Sequence, residues 1–131
     1  VSASQLRRLG DLAGRYGGEA HTLVAMIERD AELGRPLVPG LPYVRAEGVY
    51  AARYEMARTL EDVLARRTRA LLLARDATAA AAKDVAALVA DDLGWDADER
   101  ADQVHRFRAV AEKERNAADL TATVLERIVG A

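Results

Sequence analysis

All three prolines of the chain stand in one short segment, Pro36, Pro39 and Pro42. Proline fixes φ and has no N–H to give, so no helix continues through this segment. On either side of it, apolar residues recur at three- and four-residue steps, and nowhere do they alternate as in a strand. Tyr43-Val44 is too short to count. The expectation is an all-α chain, a single compact orthogonal or bundle-like domain of about five to six helices spanning residues 1–131. Its length suits one domain with a real core. Half the residues are apolar, much of that alanine, and aromatics are 5%, which suits helices that pack closely. No repeat of 20–50 residues marks a solenoid.

Ser2 or Ser4 can cap a first helix whose buried face is Leu6, Leu9, Ala13 and Tyr16. Gly17-Gly18 ends it. The series Gly10, Gly14, Gly17 sits inside and at the end of a helix, so it is no dinucleotide-binding loop, which follows a strand. A second helix is expected over 19–33, with Ala20, Leu23, Val24 and Ile27 inward and His21 solvated or capping. The segment 35–42 is the one real loop, and Leu37, Val38 and Leu41 make it apolar enough to lie on the domain or on a neighbour. A third helix spans 44–57 with Ala46, Val49, Tyr50 and Tyr54 on its apolar face. Thr59 and Asp62 form a capping box with Asp in place of Glu. The helix they open carries Leu60, Val63 and Leu64 on to Arg67 and Leu71, which puts Arg67 on a buried stripe. Asp76 or Thr78 opens the next helix, through Val85, Leu88, Val89 and Leu93 to Gly94. Asp96 and Glu99 repeat the capping logic. A last helix then runs to about Val129, with Val104, Phe107, Ala111, Ala118, Leu125 and Ile128 on one side.

A net charge of −2 and a pI near 5.7 argue against a nucleic-acid wrapper. Arg66, Arg67, Arg69 and Arg75 are locally basic, but Ala-Leu-Leu-Leu-Ala after Arg69 is no recognition helix. There is no cysteine, hence no disulfide, thiolate site or cysteine nucleophile. No apolar run approaches the ~18–20 residues of a membrane span, and the first residues do not read as a signal peptide. Val1 in place of an initiator Met is expected of a piece of something longer or of a trimmed chain.

An independent active site finds no support in the residues. Asp102-x-x-His105 is one lone metal-type pair where a di-metal bundle needs two and further glutamates. Ser2 and Ser4 are the only serines. Catalytic, cofactor-binding and metal residues are therefore expected to be none. A structural network is expected instead, with Glu47 or Glu55 paired to Arg66 or Arg67 across the third and fourth helices. Losing one partner of a buried pair costs ~3–5 kcal/mol. Phosphate binding by Arg66, Arg67 and Thr68 ranks below that reading.

The segment 41–69 carries Tyr43-x-x-Ala46-Glu47-x-x-Tyr50, then Glu55, then Leu60-x-Asp62-x-Leu64-x-Arg66-Arg67-Thr68. With Arg15-Tyr16-Gly17 upstream and Leu93-Gly94-Trp95-Asp96 downstream, it resembles the C-terminal domain of FAD-dependent, quinone-linked glycerol-3-phosphate dehydrogenases. The resemblance spans about residues 6–115, and the run 56–69 is similar to actinobacterial members in particular. Tyr43, Tyr50, Asp62 and Thr68 are its signature. Gly48 departs from it, standing where a larger apolar residue is usual. The resemblance implies a parent that oxidises sn-glycerol 3-phosphate to dihydroxyacetone phosphate, passing hydride to FAD and electrons to a membrane quinone. The FAD and substrate domains precede this one, so the piece itself is a helical cap without cofactor or catalytic residue. Its implied partners are the N-terminal FAD/substrate domain of the same chain and, in an oligomer, further copies. Nucleic acid is not among them, and membrane contact runs only through the parent. The implied place is cytoplasmic, with the parent peripheral on the inner face of the cell membrane. The alternative from a different class is a stand-alone helical interaction module using the apolar loop 37–41.

Overall fold

The computed structural model describes residues 3–130, and of 3–6, 8 and 9 the backbone alone. The expected inward faces of Leu6 and Leu9, and a cap from Ser2 or Ser4, lie outside the described residues. The described chain is all-α. Its helices are α1 (Ala3–Tyr16), α2 (Ala20–Arg29), α3 (Arg45–Tyr54), α4 (Ala70–Leu73), α5 (Arg75–Leu93) and α6 (Ala97–Val129). Two 3-10 turns, Gly17–Glu19 and Ala31–Gly34, and a π-helical segment, Asp62–Arg67, join them.

The centre of the fold is α3. Ala46 through Ala52 are all buried, so this helix is covered on every side rather than along one stripe. Ala46, Val49 and Tyr50 meet Leu12, Leu23 and Met26 of α1 and α2 in one cluster. Ala51 belongs to a second, with Val63, Leu64, Val85, Val104 and Phe107. Leu88 touches both. Gly48 is what permits the close approach. A Cβ built there lies 3.1 Å from the Leu37 Cδ1, 3.7 Å from Val63 and 3.8 Å from Leu88. The departure at Gly48 thus has a packing cause.

The proline segment lies on the domain, with Leu37 and Val38 fully buried. Leu41 N–H donates to the Val38 carbonyl at 3.1 Å across Pro39 and Gly40, and Gly40 has φ 88°. That is a type II turn, which wants Pro first and Gly second. Leu37 N–H donates to Tyr43 O, and Arg45 N–H to Arg35 O, both at 2.8 Å, closing the loop onto the start of α3.

Several boundaries differ from the sequence expectation. The second helix stops at Arg29, because the Asp30 side chain accepts from Glu32 N–H at 3.1 Å and starts a separate 3-10 turn. The third ends at Tyr54. Met56 takes a left-handed φ of 61°, and Ala57 N–H returns to the Ala51 carbonyl at 3.1 Å. Tyr54, expected on the apolar face, is consequently exposed. Arg67 was expected to be buried and is exposed. The cause is the π winding of 62–67. Thr68 N–H and Oγ1 both donate to the Val63 carbonyl, at 3.1 and 2.8 Å. Thr68, five residues after Val63, therefore takes the inward place that a 3.6-residue period gives to Arg67.

The expected opening of a helix at Asp76 or Thr78 does not hold, since α5 starts at Arg75 after Ala74 with no side-chain cap, but other local signals agree with the structure. Asp62 Oδ2 accepts from Arg58 and Thr59 N–H, and Asp62 N–H donates to Thr59 Oγ1 at 3.0 Å, the full capping box. Gly94 ends α5 with φ 69°. Asp96 caps α6 through Glu99 N–H at 2.8 Å. The expected inner side of α6 holds for Val104, Phe107 and Ala111 but not for Ala118, Leu125 and Ile128, which are exposed. The pairing of Arg115 with Asp76 shows α6 running antiparallel to α5 and reaching its far end there. Beyond that point α6 has outrun its neighbour.

Candidate functional site

The polar side chains of greatest interest gather where α1, the proline loop and α3 meet. Glu47, in the first turn of α3, is only 1% exposed. Its Oε2 accepts from Val44 N–H at 2.6 Å, the side-chain half of a capping box; Val44 has no side-chain oxygen, and its backbone carbonyl accepts from Glu47 N–H at 3.0 Å instead. Its Oε1 receives Arg15 Nε at 3.0 Å and Nη2 at 2.8 Å. The Arg15 guanidinium also lies over the Tyr43 ring, 5.2 Å from its centroid. Tyr43 OH accepts from Arg69 N–H at 3.2 Å, tying the loop to the start of α4. Tyr50 meets Tyr16 edge-on at 5.5 Å and tilts against Tyr54 at 5.1 Å. Its hydroxyl donates to Glu19 at 3.3 Å.

Burial pushes the Glu47 carboxyl up, against the pull of Val44 N–H and Arg15. The Tyr16 hydroxyl is raised by burial and then by the Glu47 charge. Tyr50 is raised by burial and then by Glu19. Burial alone would raise Asp62 as well, but the Arg58 N–H, the Arg66 guanidinium and Thr59 outweigh it and hold that carboxyl below the usual range.

The expected network of Glu47, Glu55, Arg66 and Arg67 does not form. Glu47 pairs with Arg15, and the 63%-exposed Arg66 pairs with Asp62 and Glu61 on its own helical segment. Arg67 is exposed, and among the described residues neither it nor Glu55 is in an ion pair. Sequence reasoning placed Arg15 in the signature but missed it as the partner. It lies 32 residues from Glu47, and no periodic signal spans that distance.

The remaining signature side chains are also spent internally: Asp62 on its capping box, Thr68 on Val63, Tyr43 on Arg69. Among the described residues no buried side-chain nitrogen or oxygen is left without a partner. Nor do three His, Cys, Asp or Glu side chains converge as metal ligands among them. Asp102 pairs with Arg106 at 2.8 Å, one turn along its own helix. The arrangement binds helices to one another, and its groups are saturated by that task.

Residues 4–100 match the family model described as the C-terminal domain of alpha-glycerophosphate oxidase. The "Glycerol-3-phosphate dehydrogenase 2" of Mycobacterium tuberculosis is 36% identical over 107 residues, covering 82% of this chain and 18% of that protein. The "Glycerol-3-phosphate dehydrogenase" of Synechocystis is 30% identical over 98 residues, 75% of this chain and 18% of its own length. The mitochondrial "Glycerol-3-phosphate dehydrogenase SDP6" of Arabidopsis thaliana is 33% identical over 101 residues, 77% and 16% respectively. The chain thus spans less than a fifth of the length of these relatives. No solved structure matches. With its family model matched through the tyrosine–glutamate cluster and on to the start of α6, this chain belongs to the family of the C-terminal domain of alpha-glycerophosphate oxidase.

Proposed function

We propose that this chain is the C-terminal accessory domain of an FAD-dependent glycerol-3-phosphate dehydrogenase. The parent oxidises sn-glycerol 3-phosphate to dihydroxyacetone phosphate, with hydride passing to FAD and electrons onward to a quinone. The observation that carries this reading is the match over residues 4–100 to a domain that, in the relatives, is a small part of a much longer protein. The flavin has no fitted place in the tyrosine–glutamate cluster, where every buried polar side chain is already hydrogen-bonded. The domain's own task is structural. Arg15 and Glu47 lock α1 to α3, and the parent's FAD/substrate domain is the neighbour it serves. Among the described residues no helix is long and apolar enough to cross a membrane. We place the parent in the cytoplasm, peripheral on the inner face of the cell membrane.

The test is purification of the 131-residue chain beside the full reading frame. The chain alone is expected to be colourless and inactive toward glycerol 3-phosphate with a dye acceptor, and the parent yellow and active. A yellow, active preparation of the piece overturns the reading, as does a reading frame with no flavin domain upstream.

A further inference from the structure

Nine large apolar side chains are exposed among the described residues, and seven of them gather at one end of the molecule. Leu72 and Leu73, on the four-residue α4, are two of these. The Thr78 hydroxyl donates to the Ala70 carbonyl at 2.9 Å and holds α4 beside the first turns of α5. The Arg115–Asp76 pair brings α6 to the same level. From there α6 runs on to Val129, roughly 20 Å past the start of α5. That overhang carries the other five: Leu120, Val124, Leu125, Ile128 and Val129. A projecting helix thus has a pair of exposed leucines at its root. The seven side chains expose on the order of 800 Å², which is what one side of a stable interface buries and more than the largest apolar patch of a typical monomer.

The occupant has to cover more than one seam. At 3.6 residues per turn, the five apolar side chains of the overhang spread over roughly half its circumference, with Asp119, Thr123, Glu126 and Arg127 on the other half. A single helix from a second copy covers a narrow stripe, built on apolar residues at alternating three- and four-residue steps. The central line of that kind here runs from Ile128 back through Val124, Thr121 and Ala117 to Glu114, a poor seam. A folded domain covers so wide an arc, as this one covers α3. On the dehydrogenase reading the same polypeptide supplies one. More than four-fifths of the length of the relatives lies outside the matched part, and on that reading it precedes α1. The first half of α1 lies on the α4 side of the fold. Its Arg7 and Asp11 line a depression with Pro42 and Tyr43, and the Tyr43 hydroxyl accepts from Arg69 N–H just before α4 begins.

We propose that α4 and the overhanging half of α6 are the surface by which this domain docks on the FAD/substrate domain of its own polypeptide. The proposal rests on the dehydrogenase reading. Leu72 and Leu73 meet the upstream domain at the root of the contact, and α6 lies across it with its charged half toward water. The test compares hydrogen exchange in the 131-residue chain and in the full-length parent. A helical overhang without tertiary contacts opens easily, so residues 117–129 are expected to exchange fast in the isolated chain and at least about ten-fold more slowly in the parent. The exposed corner at Tyr54 and Met56 should exchange alike in both. The variant Leu120→Gln/Val124→Gln/Ile128→Gln keeps residues that favour a helix. It should leave the melting temperature of the isolated chain unchanged and return the exchange of 117–129 in the parent to the rate of the isolated chain. The proposal is overturned if 117–129 exchange alike in the two wild-type proteins, if the protection appears at Tyr54 and Met56 instead, or if the triple variant keeps it. It is equally overturned if the isolated chain is a dimer by light scattering with 117–129 already protected, which would put a second copy on this surface. A reading frame with no flavin domain upstream overturns the dehydrogenase reading and this proposal together, whereas unchanged exchange in a frame that has one overturns this proposal alone.

Discussion

Arg15 and Glu47 hold each other but share the burial unequally: the arginine side chain is 32% exposed and the glutamate 0%. Their removals should therefore cost different amounts. Arg15→Ala strands a carboxylate in the interior and is expected to cost ~3–5 kcal/mol. Glu47→Ala leaves the arginine able to turn to water and one backbone N–H unsatisfied, about 1–3 kcal/mol. Urea unfolding of the two variants gives the order, and Arg67→Ala beside them should leave the midpoint where it was. The pH dependence has a definite sign. The Glu47 carboxyl titrates above its ordinary 4.5 in the folded state, so the folded chain holds that proton more tightly. Its contribution to stability is greatest below pH 4.5 and is lost as pH rises through the folded value. Asp62, held below 3.8, acts the other way: its contribution is present above 3.8 and lost as pH falls through its folded value. Between pH 4.5 and neutrality, the wild type should therefore lose stability relative to Glu47→Gln. A difference that is flat or opposite in sign across that window contradicts the burial argument.

At the scale of elements, α3 is gripped from all sides while α6 is half free. Gly48→Leu places a side chain where even a Cβ stands 3.1 Å from Leu37. Overpacking of this kind is expected to cost about 1–3 kcal/mol, read as a lowered melting temperature, although leucine is the better helix former. Truncation after Arg115 should leave the melting temperature unchanged, because Leu120, Val124, Leu125 and Ile128 are exposed and lie outside the core. These two cases also mark how far the fold is legible in the sequence. Caps and stops are local chemistry, and the signals at Thr59–Asp62, Gly94 and Asp96 are read correctly from a few adjacent residues. Arg67 is misread because the 3.6-residue period fails in one π turn. Leu125 and Ile128 are misread because an apolar stripe says nothing about how far the neighbouring helix extends. The partner of Glu47 is invisible for a related reason: two helix faces 32 residues apart are joined only by the fold.

At the scale of the molecule, two helical clusters share α3 and close over a saturated polar cluster. The residues that carry the family resemblance are largely the residues that hold this arrangement together. Tyr43, Glu47 and Tyr50 each fasten one segment to another, while Asp62 and Thr68 fix the two ends of the π-helical segment. Membership of the family was therefore legible in the sequence, while the wiring that makes the signature useful was not. The proposed function has this domain supporting a flavoenzyme from outside its chemistry. The direct measurement is steady-state kinetics of the full-length parent carrying Arg15→Ala, normalised to bound flavin. The account predicts a lower yield of flavin-loaded, folded enzyme, with kcat per flavin and KM for glycerol 3-phosphate unchanged. A fall in kcat per flavin at full loading and undiminished stability would contradict it, because it would put these residues in the reaction itself.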